Sequence, residues 1–178
     1  MLNTVISGAQ IGADIAGLRA AHACGITTGG TMPRGFRTLD GPLPLDQVEM
    51  FGLVDTEAYG YQVRTHRNVV TADATMRLAH NWHSPGEKLT KRFIDELGRP
   101  FWDVTLKRNQ EGAWSVEGYG RDFEYAYAYS TSKWIEDQGI EILNVAGNSD
   151  KSIEPFVEWF LTVVFTALKN RGQVETAS

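Results

Sequence analysis

Four stretches of the chain set glycine, hydroxyl and amide residues directly behind short β-rich runs. They are Ser7-Gly8-Ala9-Gln10-Ile11-Gly12, Thr28-Gly29-Gly30-Thr31, Ala146-Gly147-Asn148-Ser149 and, after Ala79, Ser84-Pro85-Gly86-Glu87. Where a side chain is missing, backbone N–H groups can come close to an anion, and a helix start adds a partial positive charge. That chemistry suits a phosphate-bearing ligand. The first stretch has neither the Gly-x-Gly-x-x-Gly spacing of a dinucleotide fingerprint nor the Gly-Lys-Ser/Thr ending of a P-loop. Glycines behind a first strand also serve tight strand–helix packing, so the motif by itself leaves both readings open.

Arginines strengthen the anion reading. Arg34, Arg37, Arg64 and Arg67, with His66 beside the last pair, fall in two segments that show no regular period. A planar guanidinium in a loop meets phosphate or carboxylate with two parallel hydrogen bonds, although each arginine could equally be solvated or paired with Asp40, Asp46 or Asp55. For proton transfer the candidates are Asp14, Asp73 and Glu87. Asp14 falls in the first turn of an expected helix, where it would cap or compensate the dipole. Asp73 precedes a strand and would organise a turn. Glu87 opens a helix beside the glycine-lined crevice, and would either cap it or face a ribose as base or nucleophile. His80 and His83 flank Trp82, but no third residue has ligand spacing, so no metal held by protein side chains is expected. Cys24 lies late in an apolar helix and reads as a packed thiol, and Trp159 and Phe160 read as core or subunit interface.

These groups must be positioned by alternating elements. A strand at Thr4 to Ser7, a helix from Ala13 to Cys24 closed by Gly25, and a strand over Ile26 to Thr28 ending in Gly29-Gly30 make a βαβ unit. Met32 to Leu45, rich in proline and glycine, predicts a long irregular connection. Val48 to Val54 is ambiguous, and Arg64 to Ala72 has no clear period. Thr75 to Ala79 predicts a strand, Glu87 to Leu97 a helix, Phe101 to Leu106 a strand, Lys107 to Arg121 a hairpin-like insertion, and Phe123 to Asp137 a helix. Ile140 to Ala146 predicts an apolar strand, and Ile153 to Leu168 a strongly apolar helix. The expected fold is α/β and Rossmann-like: a mainly parallel sheet with helices on both faces and ligands beyond the strand carboxyl ends, in one domain over residues 1–170 with a polar tail over 171–178.

Composition bounds the partners. With 178 residues, 17 Lys and Arg against 22 Asp and Glu, and a net charge of −5, a nucleic-acid polymer is disfavoured. One cysteine allows no internal disulfide and fits a reducing compartment, the cytoplasm. No basic and apolar leader opens the chain, and no membrane association is expected. Glycine, at 18 residues, is above the usual share.

Taken together, Ser7-Gly8-Ala9-Gln10-Ile11-Gly12-Ala13-Asp14, Gly25 to Gly30, Pro33-Arg34-Gly35 and Asp40-Gly41 resemble the putative molybdenum carrier family. These are Rossmann-like relatives of the YpsA proteins and the lysine-decarboxylase-like phosphoribohydrolases (LOG) within the SLOG superfamily. Arg64-Thr65, Asn68, Asp73-Ala74-Thr75, Gly98-Arg99-Pro100 and Leu143 to Gly147 follow in the family's order, so the resemblance runs from Thr4 to about Leu168. It implies a phosphorylated nucleotide or a molybdenum-cofactor (molybdopterin-type) ligand at the strand ends, and a homo-oligomer, dimer or tetramer. Gly8, Gln10, Gly12, Asp14, Gly29, Gly30 and Arg34 would form one side of the site. Arg64, Thr65, Asn68 and the loop from Gly86 to Thr90 would form another, closed by Asn144, Gly147, Asn148 and Ser149. The phosphoribohydrolase relatives imply an alternative, cleavage of a nucleotide N-glycosidic bond with Glu87 at the ribosyl centre and Arg64 on the phosphate. The chain departs from the family at Ala9, Ile11 and Ile15, and Pro85-Gly86-Glu87-Lys88-Leu89-Thr90 replaces its Gly-Gly-Thr run.

Overall fold

A computed structural model describes the backbone of residues 1–176 and the side chains of residues 1–120 and 123–171. Seven strands form one sheet in the order β5-β2-β1-β9-β6-β7-β8: β1 (Thr4–Ser7), β2 (Thr27–Met32), β5 (Leu53–Asp55), β6 (Ala74–Ala79), β7 (Phe101–Arg108), β8 (Trp114–Val116) and β9 (Ile142–Gly147). Every pairing is parallel except β7 with β8, which turns the insertion after β7 into an antiparallel edge. A separate two-stranded hairpin, β3 (Arg37–Thr38) and β4 (Gly41–Pro42), stands inside the segment expected to be wholly irregular. The helices are α1 (Ala13–Ala23), α2 (Leu45–Phe51), α3 (Tyr61–Thr71), α4 (Pro85–Leu97), α5 (Arg121–Asp137) and α6 (Glu154–Thr176).

The period-two alternation of the central strands sorts these helices into layers. Met76 and Leu78 of β6 and Leu143 and Val145 of β9 join the main core with Ala16 and Ala20 of α1, Ile135 of α5, and Phe160, Val164 and Phe165 of α6. The intervening residues, Thr75, Arg77 and Asn144, face the other way, where Asn144 Nδ2 donates to Thr75 Oγ1 at 3.2 Å and Arg77 reaches α4. There α3 and α4 pack through Val69, Phe93 and Ile94. Asp73 accepts from the amides of Glu141 and Ile142 at 3.0 and 2.8 Å, fixing β9 against the start of β6.

Four expectations change. Gly29 and Gly30 do not follow β2 but lie within it, because the strand runs on to pair with β5 at Gly30, Thr31 and Met32. Arg64 and Arg67 stand on a helix, α3, whose buried residues are Thr65, Asn68 and Val69, a largely polar stripe that gives no apolar period. The ambiguous segment resolves into α2 and β5, with only Val48 and Phe51 of the short helix buried. Finally, α6 extends through Thr176, into the segment expected to be a polar tail; residues 177–178 lie outside the described residues. No helix among the described residues is long and apolar enough to cross a membrane.

Candidate functional site

The strands β1, β9 and β6 are neighbours, and the loops beyond their carboxyl ends enclose a cavity of about 600 Å³ with the starts of α3 and α4. Local chemistry shapes each wall. After β1, Ser7 Oγ accepts from the Ala9 amide at 3.1 Å, holding Ala9 in the left-handed region at φ 48°. Gln10 Oε1 accepts from the amides of Ile11 (3.0 Å) and Leu39 (2.9 Å), so the tip of the β3–β4 hairpin is tied to the rim. Gly12 then turns into α1 at φ 88°, and a Cβ there would lie 2.1 Å from the Asn148 carbonyl oxygen. Only glycine lets the two loops approach so closely. The Gly12 amide donates to Glu154 Oε1 at 2.9 Å, and the Ala13 amide to the Asn148 carbonyl at 3.2 Å.

Asn148 ties the β6 and β9 loops together. Its Oδ1 accepts from the amides of His80 (2.9 Å) and Asn81 (2.8 Å), and its Nδ2 donates to the Asn81 carbonyl (3.1 Å) and Glu87 Oε1 (3.4 Å). All four hydrogen-bonding positions of the amide are thereby used. On the far side, α4 starts with Ser84 accepting from the Glu87 amide at 3.3 Å and proline at the first helical position. Ser84, Pro85 and Gly86 line the cavity, so the positive end of that helix is presented to it.

Among the described residues Arg64 is the one arginine or lysine in the cavity wall, which also carries Asp14, Asp150 and His80. Its Nη1 donates to Asp14 Oδ2 at 3.2 Å. The guanidinium lies against Gly8, where an added Cβ would fall 1.9 Å from Nη1. Burial pushes the Asp14 carboxyl above the usual carboxylate range, opposed by Arg64 and by hydrogen bonds from the Gln10 and Gly147 backbone. His80 Nε2 lies 3.1 Å from Asp150 Oδ2, and its ring packs on Trp114 at 4.9 Å between centroids. For Asp150, partial burial favours a higher value but is outweighed by the Ser152 hydrogen bonds and by His80, so its carboxyl is lowered.

Glu87 occupies a different place from the rest. Its side chain is 2% exposed and is absent from the cavity wall, facing instead a groove on the α4 side with Arg77, Trp82 and Asp103. Arg77 pairs with both Asp103 oxygens, at 2.9 and 2.5 Å, stacks 4.8 Å from the Trp82 ring and stands 3.6 Å from Glu87 Oε2. Burial raises the Glu87 carboxyl to about 7; Arg77 opposes this, and the charges of Asp14 and Asp103 add to it.

Of the residues singled out in the sequence, Gln10, Asp14, Arg64, Thr65, Gly86, Thr90, Gly147, Asn148 and Ser149 line the cavity, with Gly8 beneath Arg64. Gly12, Gly29, Gly30, Arg34, Asn68, Asn144 and Glu87 do not line it. Asn68 pins α3 to β2 through both backbone groups of Thr31, at 2.8 and 3.1 Å. Arg34 lies over the Tyr59 ring at 5.2 Å. Leu39, Tyr61, Asn81 and Asp150 line the cavity without having been marked by any motif, and Leu89 lines it from within the marked Gly86 to Thr90 loop. Tyr61 and Leu39 are brought in by α3 and the hairpin, neither of which has a periodic signature. No group of three or more His, Cys, Asp or Glu side chains is arranged to hold a metal ion among the described residues.

The family model of the circularly permutated YpsA SLOG family matches residues 5–166. Among solved structures, the chain is similar to the crystal structure of a putative molybdenum carrier protein from Syntrophus aciditrophicus SB. The identity is 25%, the TM-score 0.73, and 94% of each chain is covered. No curated protein sequence matches it.

Proposed function

This chain belongs to the circularly permutated YpsA SLOG family, and from that membership we propose that it is a binding protein. It holds a small phosphorylated ligand, a nucleotide or a molybdopterin-type molecule, in the cavity beyond β1, β6 and β9. The observation that carries this reading is Arg64. Its side chain is largely withdrawn from solvent, it has a single carboxylate partner, and its Nε has no hydrogen-bond partner among the described residues. A buried guanidinium with an unused donor favours an oxyanion, which satisfies several N–H groups at once. The cavity is of the size that takes small cofactors. Its remaining polar wall, the Gly86 backbone at the start of α4 with Ser149 and Gln10, fits the phosphate and ring substituents of either ligand. Molybdenum, on this reading, is cargo that arrives as part of the ligand or as an oxyanion.

Glycosidic cleavage by Glu87, the alternative from the sequence, draws less support. The carboxyl does not line the cavity where a ribose would sit, and its Oε1 is engaged by Asn148. We read the protein as a cytoplasmic homo-oligomer, with the exposed rings of Phe123, Tyr125 and Tyr129 on α5 as the surface available for association. Native mass spectrometry of freshly purified protein, with thermal shifts across nucleotides, molybdate and molybdopterin, tests the binding role. A ligand at a hundredfold excess over its Kd stabilises by about 2.7 kcal/mol, and Arg64→Ala is expected to abolish that shift. The absence of both a co-purifying mass and a thermal shift with every one of these ligands would overturn the reading.

A further inference from the structure

The cavity wall carries more acid than base, which is unusual for a site that takes an anion. Among the described residues Arg64 is its one permanent cation, while Asp14 and Asp150 both line it. Asp150 has its own partner in His80, and both are about one-third exposed. Asp14 has no such relief. It is 4% exposed, it shares Arg64 at 3.2 Å, and it is fixed in the first turn of α1. An anion seated on Arg64 therefore lies beside a buried carboxylate, and two negative charges must share one guanidinium where water cannot screen them. Asp14 is held there by the start of α1 and by hydrogen bonds from the Gln10 and Gly147 backbone. Discharging one of the two anions with a proton relieves the repulsion without moving that carboxyl.

We propose that ligand binding at this site is coupled to the uptake of one proton by Asp14, so that the protein loads its anion at lower pH and releases it as pH rises. The proposal rests on the reading that an oxyanion binds at Arg64. The groups facing Asp14 are consistent with it. From α3 comes Arg64, which favours the ionised form; from the β1 and β9 loops come the backbone groups of Gln10 and Gly147, which do the same. From α4 comes Glu87, whose own carboxyl the charge of Asp14 helps to raise. Burial already raises the Asp14 carboxyl without ligand, and a bound dianion raises it further.

The test is isothermal titration calorimetry with molybdate, and with sulfate in parallel, since both remain dianions from about pH 6 to about pH 8.5 and carry no proton themselves. Measured in two buffers of different ionisation enthalpy, uptake should approach one proton per anion, with affinity falling by up to about tenfold per pH unit on the alkaline side. Asp14→Asn should bind with no proton uptake, without pH dependence, and more tightly than the unaltered protein at high pH. Asp137→Asn, on α5 and outside the cavity wall, should leave the uptake in place. Binding with no proton uptake, or uptake kept in Asp14→Asn, would overturn the coupling while leaving the binding role intact. Absence of binding by either anion at every pH, in both the unaltered protein and Asp14→Asn, would overturn both.

Discussion

Replacing Glu87 by glutamine should stabilise the protein at alkaline pH and leave it unchanged at acid pH. The folded carboxyl titrates at about 7, against 4.5 for the ordinary group. Below the lower value both folded and unfolded chains hold the proton, and ionisation costs nothing. Between the two values the unfolded chain gives up its proton while the folded chain keeps it, so stability falls as pH rises, by up to about 1.4 kcal/mol per pH unit. Above pH 7 both are ionised and the loss levels off at roughly 3 kcal/mol. Glutamine has no proton to lose and keeps an oxygen to accept from Asn148 Nδ2. Nor does the substitution strand Arg77, which retains its bidentate pair with Asp103. The advantage of Glu87→Gln in urea denaturation should therefore grow from near zero at about pH 4.5 to roughly 3 kcal/mol at about pH 8. A difference that stays constant over that range would show that the buried carboxyl is not held protonated by its surroundings.

Two glycines should separate scaffold from site. A Cβ at Gly30 meets the Ser7 carbonyl oxygen at 1.9 Å with φ at 133°, so Gly30→Ala should cost roughly 3 kcal/mol or more, read as a lowered Tm. At Gly8 the same contact is with the end of Arg64, so Gly8→Ala should change stability by about 1 kcal/mol or less and instead weaken molybdate binding. Asn148→Ala should cost roughly 2 to 4 kcal/mol, because two amides, a carbonyl and a carboxyl lose their partner together; faster hydrogen exchange at the His80 and Asn81 amides would locate the effect.

The elements legible in the sequence are those whose burial is one-sided and apolar. The strand β6, with Met76 and Leu78 in the main core, and α6, with Phe160, Val164 and Phe165, announce themselves by composition and spacing. By contrast, α3 buries Thr65 and Asn68 and leaves Val63 and Val70 exposed, so polar residues share its buried face, Asn68 pairing with Thr31 of β2 and Thr65 with the Tyr61 carbonyl one turn back. For the candidate site, the glycine loops marked the edge of the sheet at which the cavity opens, since loops after parallel strands lie there. Which residues of those loops reach the cavity was not readable. That selection is made by tertiary contacts such as the Leu39 amide on Gln10 and the Asn148 bridge, between residues 29 and 67 to 68 positions apart.

Glu87 shows how such contacts redirect a residue of plausible chemistry. Its place at a helix start beside a glycine-rich edge suits either a cap or a base, and the backbone of α4 is indeed capped, but by Ser84. What decides its direction is Arg77, which the alternation of β6 turns away from the main core and toward α4. A buried guanidinium needs acceptors, and Asp103 on the adjacent strand supplies two; the backbone carbonyl of Glu87 accepts from Nη1 at 3.3 Å. With the α4 backbone anchored there, the Glu87 side chain falls between Arg77 and Asn148 and away from the cavity. Glu87, at the start of α4, thus adds no negative charge to the cavity wall. Gly86 is left to present the end of the helix to the cavity, and Arg64, paired with Asp14, is the cationic side chain there among the arginines and lysines of the described residues.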